Sequence, residues 1–174
     1  MKQQSKTIQK KAFIGILCSV ILIFLDQFTK YLAVQHLKDQ MPVVLWKNVF
    51  ELSYLENRGA AFGIFQGKQW PLIIFTVIVL ILIIYFYLMR IPSEKYFGLL
   101  NGIAILFFAG AIGNFIDRVT QRYVVDFFYF RLINFPVFNV ADIYVTVAAV
   151  LLILCLLFYK EEDFERILPT KKKS

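Results

Sequence analysis

Asp26, Asn114, Asp117, Asn139 and Asp142 stand within or at the ends of otherwise apolar runs, and Asp126 lies between the last two of those runs. A charged group in lipid costs roughly 3 kcal/mol or more on insertion scales, so each acid needs a partner or a task. Two carboxylates that share one desolvated site cannot both ionise, and a proton is then held between them. Such a pair can take a proton from water with one member while the other polarises a carbonyl. Other chemistries are poorly supplied. No Ser is accompanied by a convincing base, and His36, Cys18 and Cys155 form no ligand pattern, so no metal site and no cofactor are expected.

The elements that must hold these residues follow from composition. The 174 residues are 59% hydrophobic with a positive mean hydropathy, too apolar for a soluble globule. Runs of about 20 apolar residues, each able to cross a hydrocarbon core of roughly 30 Å, fall at residues 13–34, 70–89, 97–116 and 138–159. The expected fold class is an all-α integral membrane protein, one domain over residues 1–174. It has four transmembrane helices, a small extracytoplasmic β-sheet and an interfacial loop or helix.

The formal charge is +7, and most basic residues lie outside the spans. Lys2, Lys6, Lys10 and Lys11 precede the first, Arg90 and Lys95 separate the second from the third, and Lys160, Arg166 and Lys171, Lys172 and Lys173 follow the fourth. The positive-inside rule makes these regions cytoplasmic, including a basic tail at 160–174, and puts segments 35–69 and 117–137 outside. Topology and attraction to anionic lipid account for the charge, and nucleic acid is not an expected partner. The run 13–25 after a basic leader has the look of a signal peptide, but Asp26 follows it in place of a small-residue cleavage site. Cys18 and Cys155 read as packing residues within spans, and His36 as a surface residue.

Asp26 and Lys30 share a helix face at i, i+4, where they can simply neutralise each other. Residues 43–46 and 49–54 are β-prone around a Lys47-Asn48 turn, and Phe50, Leu52 and Tyr54 alternate with Glu51 and Ser53 to make one apolar face. Trp46 and Trp70 are expected at the membrane interface. The run from Glu56 through Asn57, Arg58, Gly59, Ala60, Ala61, Phe62 and Gly63 has small residues that permit close approach, a weak signal alone. Ala109, Gly110, Ala111 and Gly113 suit close helix packing. Residues 119–137, with Phe127, Phe128, Tyr129 and Phe130 in sequence, read as an amphipathic flap lying in the interface.

In this topology Asp26 and Lys30, Asn114 and Asp117, and Asn139 and Asp142 fall at one depth near the outer face, which implies a shared polar pocket. Asp117 and Asp126 both qualify as the partner of Asp142, and Asp117 is favoured because it borders a helix. A small proton-coupled transporter is the competing reading, although it would place acids near mid-membrane.

Five ordered motifs sharpen this. Asp26-Gln27-Phe28-Thr29-Lys30, Asn57-Arg58-Gly59-Ala60-Ala61-Phe62, Gly113-Asn114-Phe115-Ile116-Asp117-Arg118, Val124-Val125-Asp126-Phe127 and Phe138-Asn139-Val140-Ala141-Asp142 together resemble those of bacterial lipoprotein signal peptidase, or signal peptidase II. The resemblance implies a four-helix aspartic endopeptidase of the bacterial cytoplasmic membrane; membrane lipid is an expected partner, and a monomer is the expected state. Its partners would be diacylglyceryl-modified prolipoproteins, cut just before the lipid-bearing cysteine. It also implies Asp126 and Asp142 as the catalytic pair, Asp117 and Arg118 being tied up as a salt-bridged support. Asp26, Lys30, Asn57, Gly59, Asn114 and Asn139 would complete the supporting shell, and a mobile outer helix would correspond to the aromatic loop. Ala109-Gly110 replaces a frequent pair of glycines, and Ile143 stands where a small hydroxyl residue is common; neither touches the pair.

Overall fold

A computed structural model describes residues 2–59 and 67–167; Ala60, Ala61, Phe62 and Gly63 of the second motif and the lysine-rich end of the tail lie outside the described residues. The first helix, α1 (Lys2–Leu37), leads to strands β1 (Val43–Trp46) and β2 (Phe50–Asn57). Helix α2 (Gln69–Tyr85) continues through a wider π turn at Phe86–Arg90, and α3 (Gly98–Gln121) follows. Strand β3 (Val124–Tyr129), helix α4 (Val140–Phe158) and the short helix α5 (Glu161–Ile167) complete the order. Four helices are long and apolar enough to cross a membrane: Lys6–Leu37, Gln69–Arg90, Gly98–Gln121 and Val140–Phe158.

The helices outrun the apolar runs that announce them. At 36 residues α1 is ~54 Å long, well beyond a hydrocarbon core, so its lysine-bearing start stays helical outside the lipid. Helix α3 continues to Gln121, five residues past the expected end, and therefore carries Asp117 and Arg118 itself. Along the spans the usual inside-out rule is inverted. Phe13, Leu17, Val20 and Phe24 of α1 and Ile153, Leu157 and Phe158 of α4 are all exposed, as a lipid-facing surface requires.

Small residues bring α3 against α4. A Cβ on Gly110 would stand 2.6 Å from the Ala141 carbonyl oxygen, and Ala141 is itself fully buried. At the end away from the sheet, Phe97, Leu100 and Ile103 pack with Ala148, Cys155 and Ile167. Cys18 and Cys155 are free thiols, and His36 is exposed.

The sheet has the order β1-β2-β3, antiparallel throughout. Asn48 turns the first hairpin with φ 61°, a conformation Asn tolerates better than most. The third strand corrects the reading of residues 119–137 as an interfacial flap over part of its length, since residues 119–121 end α3 and 124–129 form β3, while Leu132, Ile133 and Phe135 beyond them are exposed. Val124–Tyr129 pairs with β2, and one short helical turn follows at Arg131–Ile133. Its aromatic rings pack on one another: Phe50 lies 4.7 Å from Phe130, and Phe138 lies 5.6 Å from Phe128 and 5.8 Å from Phe130. An apolar run interrupted by Asp126 does not alternate, yet the strand's two-residue period shows once Val125 and Phe127 are seen to face Ala33 and Leu37 of α1.

The apolar face assigned to β2 is also corrected. Glu51 is its most buried residue, and Arg131 reaches its carboxylate at 3.2 Å, while Phe50, Leu52 and Tyr54 are half-buried. Trp46 and Trp70 are exposed, and Arg122 lies over the Trp70 ring.

Candidate active site

The site forms where β3, the C-terminal part of α3 and the N-terminus of α4 meet. Strand β3 sends Val125 and Phe127 towards α1, so Asp126 between them must point the other way, into a cleft. A bulge in β2 gives it a partner. Leu52 pairs with Phe128 but Leu55 pairs with Asp126, so one extra residue lies in β2 between these pairs. Without it Asp126 would oppose Tyr54, and Asn57, an odd number of residues further on, would face the opposite side. With it Asn57 is the diagonal neighbour of Asp126, and its Nδ2 donates to Asp126 Oδ2 at 2.8 Å. Gly59 N in turn donates to Asn57 Oδ1 at 3.0 Å and holds that amide in orientation.

The chain returns along β3 before entering α4, Phe138 exchanging backbone hydrogen bonds with Phe128 at 2.8 and 3.0 Å. That places Asn139 beside Asp126 and at the N-cap of α4. Its Oδ1 accepts from Asp142 N at 3.0 Å, and Asp142 Oδ2 accepts from Asn139 N at 3.1 Å, a reciprocal capping box. The Asn139 Nδ2 donates to Asp126 Oδ1 at 2.6 Å and to Asn114 Oδ1 at 3.1 Å. Asn114 Nδ2 donates to Asp142 Oδ1 at 2.8 Å. The two amides thus hold Asp126 and Asp142 in one network.

Behind it lies a second layer of charge. Lys30 Nζ sits 2.9 Å from Asp26 Oδ2, 3.0 Å from Asp117 Oδ2 and 2.9 Å from Asn114 Oδ1. Lys30 is therefore shared between two acids, where i, i+4 neutralisation by Asp26 alone was expected. The ion-pair partner of Asp117 is Lys30, which corrects the pairing with Arg118. A helix places neighbours i and i+1 about 100° apart, so Arg118 points away from Asp117 and into the cleft. There its guanidinium reaches the Gly59 carbonyl at 3.4 Å, and its Nε is buried without a partner among the described residues. Asp117 Oδ2 also accepts from Val125 N at 3.1 Å, which pins β3 to α3.

Asp26 Oδ1 accepts from Ala141 N at 2.8 Å, an anion at the positive end of α4. Gly113 admits it, since a Cβ there would overlap the Asp26 carboxylate. Gln27, absent from the expected site, joins the layer by donating to Asp26 Oδ2, the Gly113 carbonyl and Asp117 Oδ1 at 3.0–3.1 Å. Its place beside Asp26 in the first motif was the only signal for it.

All ten expected site residues fall in or directly behind one cleft of about 830 Å³. Asn57, Gly59, Asn114, Arg118, Asp126 and Asp142 line it, and Val145, Thr146, Phe138 and Leu55 make an apolar wall. Val145 and Thr146 stand three and four residues after Asp142, a helical spacing that would have located them. Burial, and then the nearby Asp142 charge, push the Asp126 carboxyl up to about 7, against the hydrogen bonds from Asn57 and Asn139.

A lipid-facing bundle that carries two desolvated carboxylates to the wall of a partly apolar cleft defines an integral-membrane enzyme with the equipment for acid–base hydrolysis. A family model described as signal peptidase (SPase) II matches residues 18–158, a stretch that contains every residue named in the cleft. The chain belongs to the signal peptidase II family and is a multi-pass membrane peptidase. It is 40% identical over 153 residues to the lipoprotein signal peptidase of Clostridium tetani, covering 86% of this chain and 95% of the relative. With that of Clostridioides difficile it is 43% identical over 148 residues, covering 85% and 97%. A solved bacterial membrane enzyme, determined in meso at 2.3 Å resolution, superposes with a TM-score of 0.77 at 32% identity, covering 91% of this chain and 94% of that one.

Proposed function

We propose that Asp126 and Asp142 are the catalytic pair of an endopeptidase that removes the signal peptide from diacylglyceryl-modified prolipoproteins, cutting before the lipid-bearing cysteine. The observation that carries this is the single amide network, through Asn139 and Asn114, joining the two carboxylates at the wall of one cleft. The relatives named as lipoprotein signal peptidases supply the substrate class.

The pair enters the reaction with one proton, held by Asp126, whose carboxyl is pushed up to about 7. Ionised Asp142 takes a proton from water as its oxygen bonds to the scissile carbonyl carbon, and Asp126 gives its proton to the carbonyl oxygen. Collapse of the tetrahedral intermediate breaks the C–N bond as the proton taken by Asp142 passes to the leaving nitrogen and Asp126 takes back a proton from a hydroxyl of the intermediate, which restores the pair. Asn57, Asn114 and Asn139 orient the carboxylates; Asp26, Lys30, Asp117 and Gly59 support them; Arg118 supplies positive charge at the cleft wall. No metal enters this scheme, so a chelator should leave cleavage unchanged.

The positive-inside count supports both termini in the cytoplasm and the sheet end at the outer face of the bacterial cytoplasmic membrane. The protein acts as a monomer that draws its substrate from surrounding lipid. The transporter alternative has no support, because the family match is to a peptidase and the acids gather at the sheet end of the bundle.

Asp126→Asn and Asp142→Asn are each expected to lower cleavage of a lipidated prolipoprotein by ~10³-fold or more, with the variant still folded in detergent. Loss of signal peptide is read by mass spectrometry, and native-like activity in either variant would overturn the assignment.

A further inference from the structure

Lys6, Lys10 and Lys11 line a second cavity, about 600 Å³, at the end of the bundle away from the sheet, with Ile14, Ser93 and Asn101. Among the described residues none of these lysines has an acidic partner. Lys11 is 7% exposed; its Nζ donates to the Ile91 carbonyl at 2.5 Å and lies 4.5 Å from the Tyr87 ring centre. A carbonyl and a ring stabilise the ammonium but leave its charge unneutralised, and Lys6 and Lys10 add theirs to the same space. Asn101 Nδ2 donates to the Pro92 and Phe97 carbonyls, both at 2.9 Å, which fixes the amide and leaves its buried Oδ1 without a donor among the described residues.

The stripe of α1 that carries Lys6 and Lys10 continues at helical spacing through Phe13, Leu17, Val20 and Phe24. Those four are 68%, 51%, 57% and 64% exposed. One helix face therefore reads cationic at two successive positions and apolar at the next four, the profile of a phosphate head joined to an acyl chain. We propose that this cavity binds the headgroup of an anionic glycerophospholipid, its phosphate among Lys6, Lys10 and Lys11 and one acyl chain along the Phe13, Leu17 and Val20 stripe. Ordinary snorkelling of lysines explains Lys6 and Lys10 taken singly, but not the buried, acid-free Lys11 beside them.

The test uses the full chain in neutral detergent, titrated with phosphatidylglycerol or phosphatidylcholine and read by native mass spectrometry. Phosphatidylglycerol should be retained in preference to phosphatidylcholine, and Lys6→Gln/Lys10→Gln should weaken that retention at least about tenfold. These two lysines are exposed, so the double variant spares the buried Lys11. Lys47→Gln/Lys68→Gln, which removes the same charge at the sheet end, should retain the lipid as the native chain does, and free glycerol 3-phosphate should not displace it. Equal retention of the two lipids, no loss in Lys6→Gln/Lys10→Gln, or an equal loss in the sheet-end variant would each overturn the site. Displacement by glycerol 3-phosphate would assign the cavity to a soluble phosphate instead.

Discussion

Asp126 is the residue at which structure and titration meet most directly. Its carboxyl is pushed up to about 7, whereas in an unfolded chain it would titrate near 3.9. Between those values the folded chain holds a proton that the unfolded chain has released, so this group lowers stability as pH rises from about 4 to about 7, by at most on the order of 4 kcal/mol. In Asp126→Asn nothing titrates there. The stability of that variant relative to the native chain should therefore rise between about pH 5 and about pH 8, although the Asn amide loses one of the two hydrogen bonds that Asp126 accepts. Unfolding temperatures in detergent at the two pH values check this, and a pH-independent difference would contradict it. Cleavage by the native protein should fall above about pH 7 as the pair loses its proton.

At the scale of elements, the site depends on how closely three helices approach. Gly113→Ala would drive a methyl group into the Asp26 carboxylate, which is held by Lys30, Gln27 and the α4 backbone. Breaking a buried pair of this kind costs about 3–5 kcal/mol, so Gly113→Ala should unfold more readily than the native chain by a comparable amount. Gly102→Ala, on the same helix with open space around its Cβ position, should not, and the two variants can be compared in one thermal series.

The helices were legible because a run of some 20 apolar residues has few alternatives in a membrane. Their ends were not, since Lys2 to Lys11 and Asp117 to Gln121 stay helical where the apolar signal stops. Strand β3 was hidden by Asp126, which interrupts an apolar run for the sake of the cleft. The Lys30–Asp117 pair was hidden because it joins residues 87 positions apart, whereas Arg118 lay adjacent in sequence. Motif order brought the ten site residues into view; only packing shows which touches which.

The molecule as a whole has two polar ends joined by lipid-facing helices. At the end away from the sheet α5 docks through Ile167, whose carbonyl accepts from Arg90 Nε at 2.6 Å, and through Arg166, which lies 4.9 Å from the Phe97 ring centre. A chain stopped after Lys160 should lose roughly 1–3 kcal/mol of stability through the exposed Phe97 cluster. Its cleavage rate at a temperature where it is folded should stay within about twofold of native, because among the described residues α5 packs in the Phe97 cluster and does not line the cleft. A much larger loss of rate in folded protein would show that the two ends are coupled.

The capping box at Asn139 and Asp142 has a consequence for biogenesis. The carboxylate proposed to activate water is also the group that closes the first turn of α4, and its proposed partner Asp126 arrives only when β3 has paired. A half-inserted chain, with α4 unwound at its start, holds neither acid in position. The fold thereby works as an interlock: a protease that lives among the membrane's other helices is armed only by its own completed assembly.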